Sequence, residues 1–136
     1  MVAVLVHGVT GFTGALVSRE LARRGVPHSV AGRRKEAVTA HAREVGAEAR
    51  VFDLDDPAAV RRGLAGFGAV LNCAGPFRKT APKLATAAIE ASIAYVDLAG
   101  EVGSLASAGR CCGAVSSAGT SAGSKGWCAS RDSVHR

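Results

Sequence analysis

The stretch that decides the fold is Gly8-Val9-Thr10-Gly11-Phe12-Thr13-Gly14. It follows the continuous apolar run Val2–His7 and precedes an amphipathic segment. An uninterrupted apolar run that stops at a glycine reads as a parallel strand buried on both faces. Leu16, Val17 and Leu21 then place an apolar stripe on a helix expected from Thr13 to Arg24. Arg23 and Arg24 suit the negative end of its dipole, and Gly25 is the expected residue after its cap. Each glycine has a steric task in such a strand-turn-helix unit. Gly8 permits the tight turn, Gly11 lets the backbone approach a phosphate, and Gly14 lets the helix pack closely. The helix N-terminus then points free amides at an anion. Thr10 and Thr13 add hydroxyl donors. The spacing G-x-x-G-x-x-G is one residue longer at its first gap than G-x-G-x-x-G, and it points to a bound dinucleotide.

The same alternation continues outward. Strands are expected at His28–Ala31, Ala49–Leu54, Ala69–Ala74 and Ala94–Leu98. Helices are expected at Lys35–Val45, from Asp56-Pro57 to Leu64, and at Pro82–Ser92 with Thr80 as a cap. Asp56 before Pro57 reads as an N-cap followed by an N1 proline. Five strands separated by helices imply right-handed crossovers. The expected fold class is α/β: a Rossmann-like doubly wound parallel sheet of about five strands, order 3-2-1-4-5. Ligands of such sheets lie beyond the carboxyl ends of the strands, at the switch between strands 1 and 4.

The loops at those ends carry the candidate residues. Strand 2 runs into Arg33-Arg34-Lys35, where a NAD site usually has an acid for the ribose 2′-hydroxyl. No acid appears before Glu36. Guanidinium groups suit a 2′-phosphate, so NADP is favoured over NAD. A solvated basic helix start is the alternative, and the helix dipole disfavours it. Asp53 closes strand 3, either accepting from an adenine amino group or capping a turn with Asp55 and Asp56. Ala74 and Gly75 end strand 4 and leave room for a ribose and nicotinamide. Asn72 reads as a loop tie, His7 as structural, and Lys79 and Lys83 as solvated or phosphate-contacting.

The chain has 136 residues, 48% of them hydrophobic, 4% aromatic, with a net charge of +6. That suffices for one domain with a core and argues against global disorder. No apolar run reaches a membrane span. The start lacks a basic secretory n-region, so a cytoplasmic location is expected. Without an aromatic stacking platform beside the basic residues, nucleic acid is not an expected partner.

The composition changes near residue 102. The segment 103–136 is dominated by Gly, Ser and Ala and holds three of the four cysteines. The expected domains are 1–102, dinucleotide-binding, and 103–136, an irregular tail that buries too little apolar surface to order. Cys111, Cys112, Cys128 and His135 lack zinc spacing, and Cys73 reads as a small core residue, so no metal is expected.

Val9-Thr10-Gly11-Phe12-Thr13-Gly14, Ala31-Gly32-Arg33, Asn72-Cys73-Ala74-Gly75-Pro76-Phe77 and Tyr95-Val96-Asp97-Leu98-Ala99-Gly100-Glu101 resemble the saccharopine dehydrogenase-like reductases. These include trans-acting enoyl reductases of lipid synthesis. The resemblance covers residues 1–102. It implies NADP bound by Gly8, Thr10, Gly11, Phe12, Thr13, Arg33 and Arg34, with Ala74 and Gly75 beside it. It places Asp97–Glu101 toward the substrate. It also implies hydride transfer to or from a carbonyl, imine or enoyl compound, a small molecule or lipid.

Family members continue into a substrate and dimerisation domain, so the resemblance reads this chain as cut short. The tail's composition reads as an out-of-frame stretch of a GC-rich gene or as a truncated gene. A non-catalytic dinucleotide-binding module or truncated pseudoenzyme is the competing reading. No catalytic residue emerges: Tyr95 is followed four positions on by Ala99, not lysine. The open edge of strand 5 leaves homo-oligomer formation open.

Overall fold

Val4–His7 forms β1 at the centre of the sheet, where its residues have neighbours on both sides. Val6 is in register with Val30 on one side and with Leu71 on the other. The computed structural model describes residues 3–98. Along the chain follow α1 (Phe12–Arg23), β2 (His28–Gly32), α2 (Lys35–Val45), β3 (Glu48–Val51) and α3 (Pro57–Leu64). Then come β4 (Ala69–Asn72), α4 (Phe77–Glu90) and β5 (Ala94–Asp97). All neighbouring strands are parallel and the order is β3-β2-β1-β4-β5, as the strand-helix alternation requires.

Adjacent side chains of a strand point to opposite faces. Leu5 accordingly packs with Val60 and Leu64 of α3 and with Leu84, Ala87 and Ala88 of α4. Val6 packs on the other face with Val38 and Ala42 of α2, against Val17 and Leu21 of α1. The doubly apolar reading of β1 is thereby met residue by residue.

Helix ends follow local chemistry. α1 closes with the Gly25 amide on the Ala22 carbonyl and the Val26 amide on the Leu21 carbonyl, the paired bonds of a Schellman stop. α2 runs from Lys35 to Val45 as expected. Asp56 caps α3 by accepting from the Ala58 and Ala59 amides, both at 3.0 Å.

Several boundaries differ from expectation by one or more residues, and three of these differences shape the cleft, each for a local reason. β3 stops at Val51, short of Leu54, since the Asp55 amide bonds the Asp53 carboxylate at 3.0 Å and bends the chain. β4 stops at Asn72, short of Ala74, since the Ala74 amide bonds the Asn72 side chain at 3.1 Å. α4 begins at Phe77, five residues before the expected Pro82. The Pro76 carbonyl accepts from the Lys79 and Thr80 amides and opens the helix there. Thr80 therefore does not cap it, and Pro82 sits inside. The expected boundary at 102 and the irregular tail lie outside the described residues.

Candidate cleft at the carboxyl ends of the strands

The loops that follow β1, β2, β3 and β4 enclose a cleft of about 470 Å³. That is a volume suited to a small-molecule ligand. It lies where the sheet order reverses, between β1 and β4. Seven of the residues singled out in the sequence line it: Gly8, Thr10, Arg33, Arg34, Asp53, Ala74 and Gly75. Gly11, Phe12, Thr13 and Gly14 do not. They form the first turn of α1 and its approach, and the Phe12 ring is 86% exposed.

The glycine loop is built by close contact. Gly8 has φ +90°, in the left-handed region that favours glycine. Gly14 faces the loop so closely that a Cβ there would lie 2.3 Å from the Gly8 carbonyl oxygen. The Gly11 amide is bonded to that same carbonyl at 3.1 Å. No side chain caps α1, so no side-chain oxygen occupies its N-terminus. The same holds for α2, whose cap position is Arg34 and whose first turn opens with Lys35.

The sequence leaves Lys79 and Lys83 open between a solvated and a phosphate-contacting role and gives Phe52 and Thr80 no part in the site, yet all four line the cleft. His7, read there as structural, is buried and borders the cleft. Its ring stacks on Phe52 with centroids 5.5 Å apart. Burial pushes its pKa down to about 4, while the Asn72 side chain works the other way. The imidazole is therefore neutral at pH 7. Lys79, Thr80 and Lys83 contribute one wall from α4. Their i, i+4 spacing puts Lys79 and Lys83 on one helix face. That signal becomes visible only once the helix is started at Phe77.

Asn72 is the loop tie expected of it, and more. It is fully buried. Its amide nitrogen donates to the Thr80 hydroxyl at 3.1 Å and to the Tyr95 hydroxyl at 3.2 Å. Thr80 donates in turn to the Ala74 carbonyl at 2.6 Å, and Tyr95 to Asp97 at 2.8 Å. Both polar groups of the Ala74 peptide are thus held from β4 and α4, which fixes the loop facing Gly8.

Among the described residues no group of three His, Cys, Asp or Glu is placed to hold a metal ion. No helix among them is long and apolar enough to cross a membrane.

The cleft therefore joins the start of the glycine turn, Gly8 and Thr10, to two arginines on the neighbouring loop. The sequence matches the saccharopine dehydrogenase NADP binding domain over residues 4–121. The chain belongs to this family. The match runs past the composition change near residue 102. The saccharopine dehydrogenase-like oxidoreductases of Mus musculus and Rattus norvegicus are each 30% identical over 117 residues. Each match covers 72% of this chain and 27% of the relative, so the chain spans about a quarter of their length.

Two solved structures share the fold. Apo saccharopine dehydrogenase (L-Glu forming) from Saccharomyces cerevisiae superposes with a TM-score of 0.66 at 24% identity, over 78% of this chain and 23% of the other. The triphenylmethane reductase of a Citrobacter species, complexed with NADP(H), gives 0.56 at 23% identity, over 68% and 36%. The family's cofactor is NADP, in agreement with the choice made from Arg33 and Arg34.

The described residues fit that cofactor. Gly8 keeps the loop free of a side chain, and Gly75 has open space where a Cβ would stand. Four cations line the cleft against two carboxylates.

Proposed function

We propose that this domain holds NADP(H) across the cleft as the cofactor half of an oxidoreductase. Gly8, Thr10, Gly11, Phe12, Thr13 and Gly14 carry the pyrophosphate at the N-terminus of α1. Arg33 and Arg34 take the 2′-phosphate, Asp53 the adenine edge, and Ala74 with Gly75 the nicotinamide side. The observation that supports this most is that both arginines line the same cleft as Gly8 and Ala74. The cofactor supplies the hydride. The chain orients it through the backbone amides of the glycine loop and the Asn72-anchored Ala74 loop. A carbonyl, imine or enoyl group is the proposed acceptor or donor, in a small molecule or lipid. The proposed setting is cytoplasmic: Cys73, the cysteine among the described residues, is a free buried thiol, as is usual in a reducing compartment.

Titration of the chain with NADPH and NADH, followed by nicotinamide fluorescence and thermal shift, tests the assignment. NADPH is expected to bind more tightly. Arg33→Ala with Arg34→Ala should weaken NADPH at least about tenfold, because charge-assisted bonds to phosphate are lost. An equal loss for NADH rejects the 2′-phosphate assignment. A folded chain that ignores NADPH rejects the reading as a whole. Turnover assays with carbonyl, imine and enoyl acceptors separate an enzyme from a binding module.

A further inference from the structure

The cofactor reading uses Arg33, Arg34 and Asp53 but leaves one charged pair in the cleft unexplained. Asp55, on the turn between β3 and α3, forms an ion pair with Lys83 of α4. Both line the cleft. The pair is exposed, with 44% of the Lys83 side chain and 77% of the Asp55 side chain open to solvent. Exposed pairs add little to stability, so the fold does not explain it. Lys83 holds the Asp55 carboxyl below its usual range, with smaller contributions from Arg33 and Lys79. Asp55 is thus ionised and lies within the field of three of the four cleft cations. Asp53, by contrast, is engaged locally by the Asp55 amide.

We propose that Asp55 is a specificity-setting residue, whose carboxylate offsets part of the cation cluster and reduces the preference for a 2′-phosphorylated dinucleotide over its unphosphorylated form. The inference rests on the placement of NADP(H) given above. The two nicotinamide dinucleotides differ only by the 2′-phosphate, which carries about two negative charges at neutral pH. Any fixed charge in this cleft therefore acts on the ratio of their affinities. Asp55 acts twice: its own charge repels the phosphate, and its bond to Lys83 engages a cation that would otherwise be available to the ligand.

The test is calorimetric titration of the 136-residue chain and its Asp55→Asn, Lys83→Met and doubly substituted variants with NADPH and NADH. Asp55→Asn keeps the side-chain shape and the turn amide. It should raise the NADPH-to-NADH affinity ratio by about threefold to fivefold, the size set by one exposed charge against a dianion. Lys83→Met should lower the ratio by a similar factor, and the double variant should return close to the parent. The Asp55→Asn gain should shrink between about 50 mM and about 300 mM salt as charges are screened. A parent that prefers NADPH, with a ratio that Asp55→Asn leaves unmoved or lowers, overturns this inference and leaves the cofactor reading intact. A parent with no preference for NADPH overturns both.

Discussion

A Cβ added to Gly8 would lie 2.7 Å from the Ala74 backbone nitrogen, so the loops after β1 and β4 meet with no room for a side chain. Gly8 also has a positive φ, which an L side chain resists. Gly8→Ala is therefore expected to cost about 2 kcal/mol or more in urea denaturation. Gly75 differs in both respects: its Cβ would meet nothing within 4 Å, and its φ is not positive. Gly75→Ala should leave the denaturation midpoint close to the parent. It should weaken NADPH binding, because the added methyl stands at the cleft wall. Equal stability losses in the two variants would contradict this contrast.

The contrast also shows why the fold was legible in the sequence. β1, the glycine turn and α1 are local patterns, each with one steric or hydrophobic cause. The Asp56-Pro57 cap and the Lys35–Val45 helix are local in the same way. The start of α4 was not legible, because Thr80 and Pro82 look like a helix opening when read alone. Only the spatial neighbours Ala74 and Asn72 engage the Thr80 hydroxyl elsewhere. The cleft was legible in its loops and only in part in its walls, where the sequence left Lys79 and Lys83 open between solvent and phosphate. His7 and Lys83 face it through partners, Phe52 and Asp55, that are distant in sequence.

His7 makes stability depend on pH. Its pKa falls from 6.5 to about 4 on folding, chiefly through burial. Between those values the unfolded chain binds more protons than the folded one, so stability rises with pH across that window. The contribution is fully present above pH 6.5 and is lost as pH falls toward 4. Its full size is about 3 kcal/mol. His7→Phe keeps a ring against Phe52 and removes the titrating group. The difference in urea midpoint between parent and variant should vary from pH 7 to pH 4. His41, also lowered by burial, is common to both proteins and cancels. A constant difference would mean that His7 titrates normally.

Two helix substitutions are expected to have opposite signs. Asp56→Ala removes the acceptor of two amides at the start of α3 and should cost about 1 kcal/mol. Pro82 lies in the interior of α4, where it provides no amide for the Arg78 carbonyl. Pro82→Ala restores that donor and should stabilise by about 1 kcal/mol, part of the helix gain being offset by a more flexible unfolded chain. Thermal denaturation of both variants checks the pair. A Pro82→Ala variant less stable than the parent would show that ring packing outweighs the missing bond.

The Asn72 cluster should link stability to cofactor binding. Thr80→Val keeps the shape of the side chain but removes the hydroxyl that donates to Ala74 and accepts from Asn72. A buried amide then loses a partner and a carbonyl loses its donor, at a cost of about 1–3 kcal/mol. Tyr95→Phe removes the other acceptor of the Asn72 amide. Tyr95 does not border the cleft, so an effect of this variant on NADPH is indirect, relayed by hydrogen-bond partners such as Asn72 and Asp97. Both variants should be less stable and should bind NADPH more weakly, whereas Thr80→Ser, which keeps the hydroxyl, should stay close to the parent in both. In amide hydrogen exchange the Ala74 amide should lose protection in each. Retained protection of that amide, with NADPH affinity unchanged, would show that the cluster stabilises the sheet edge without positioning the loop.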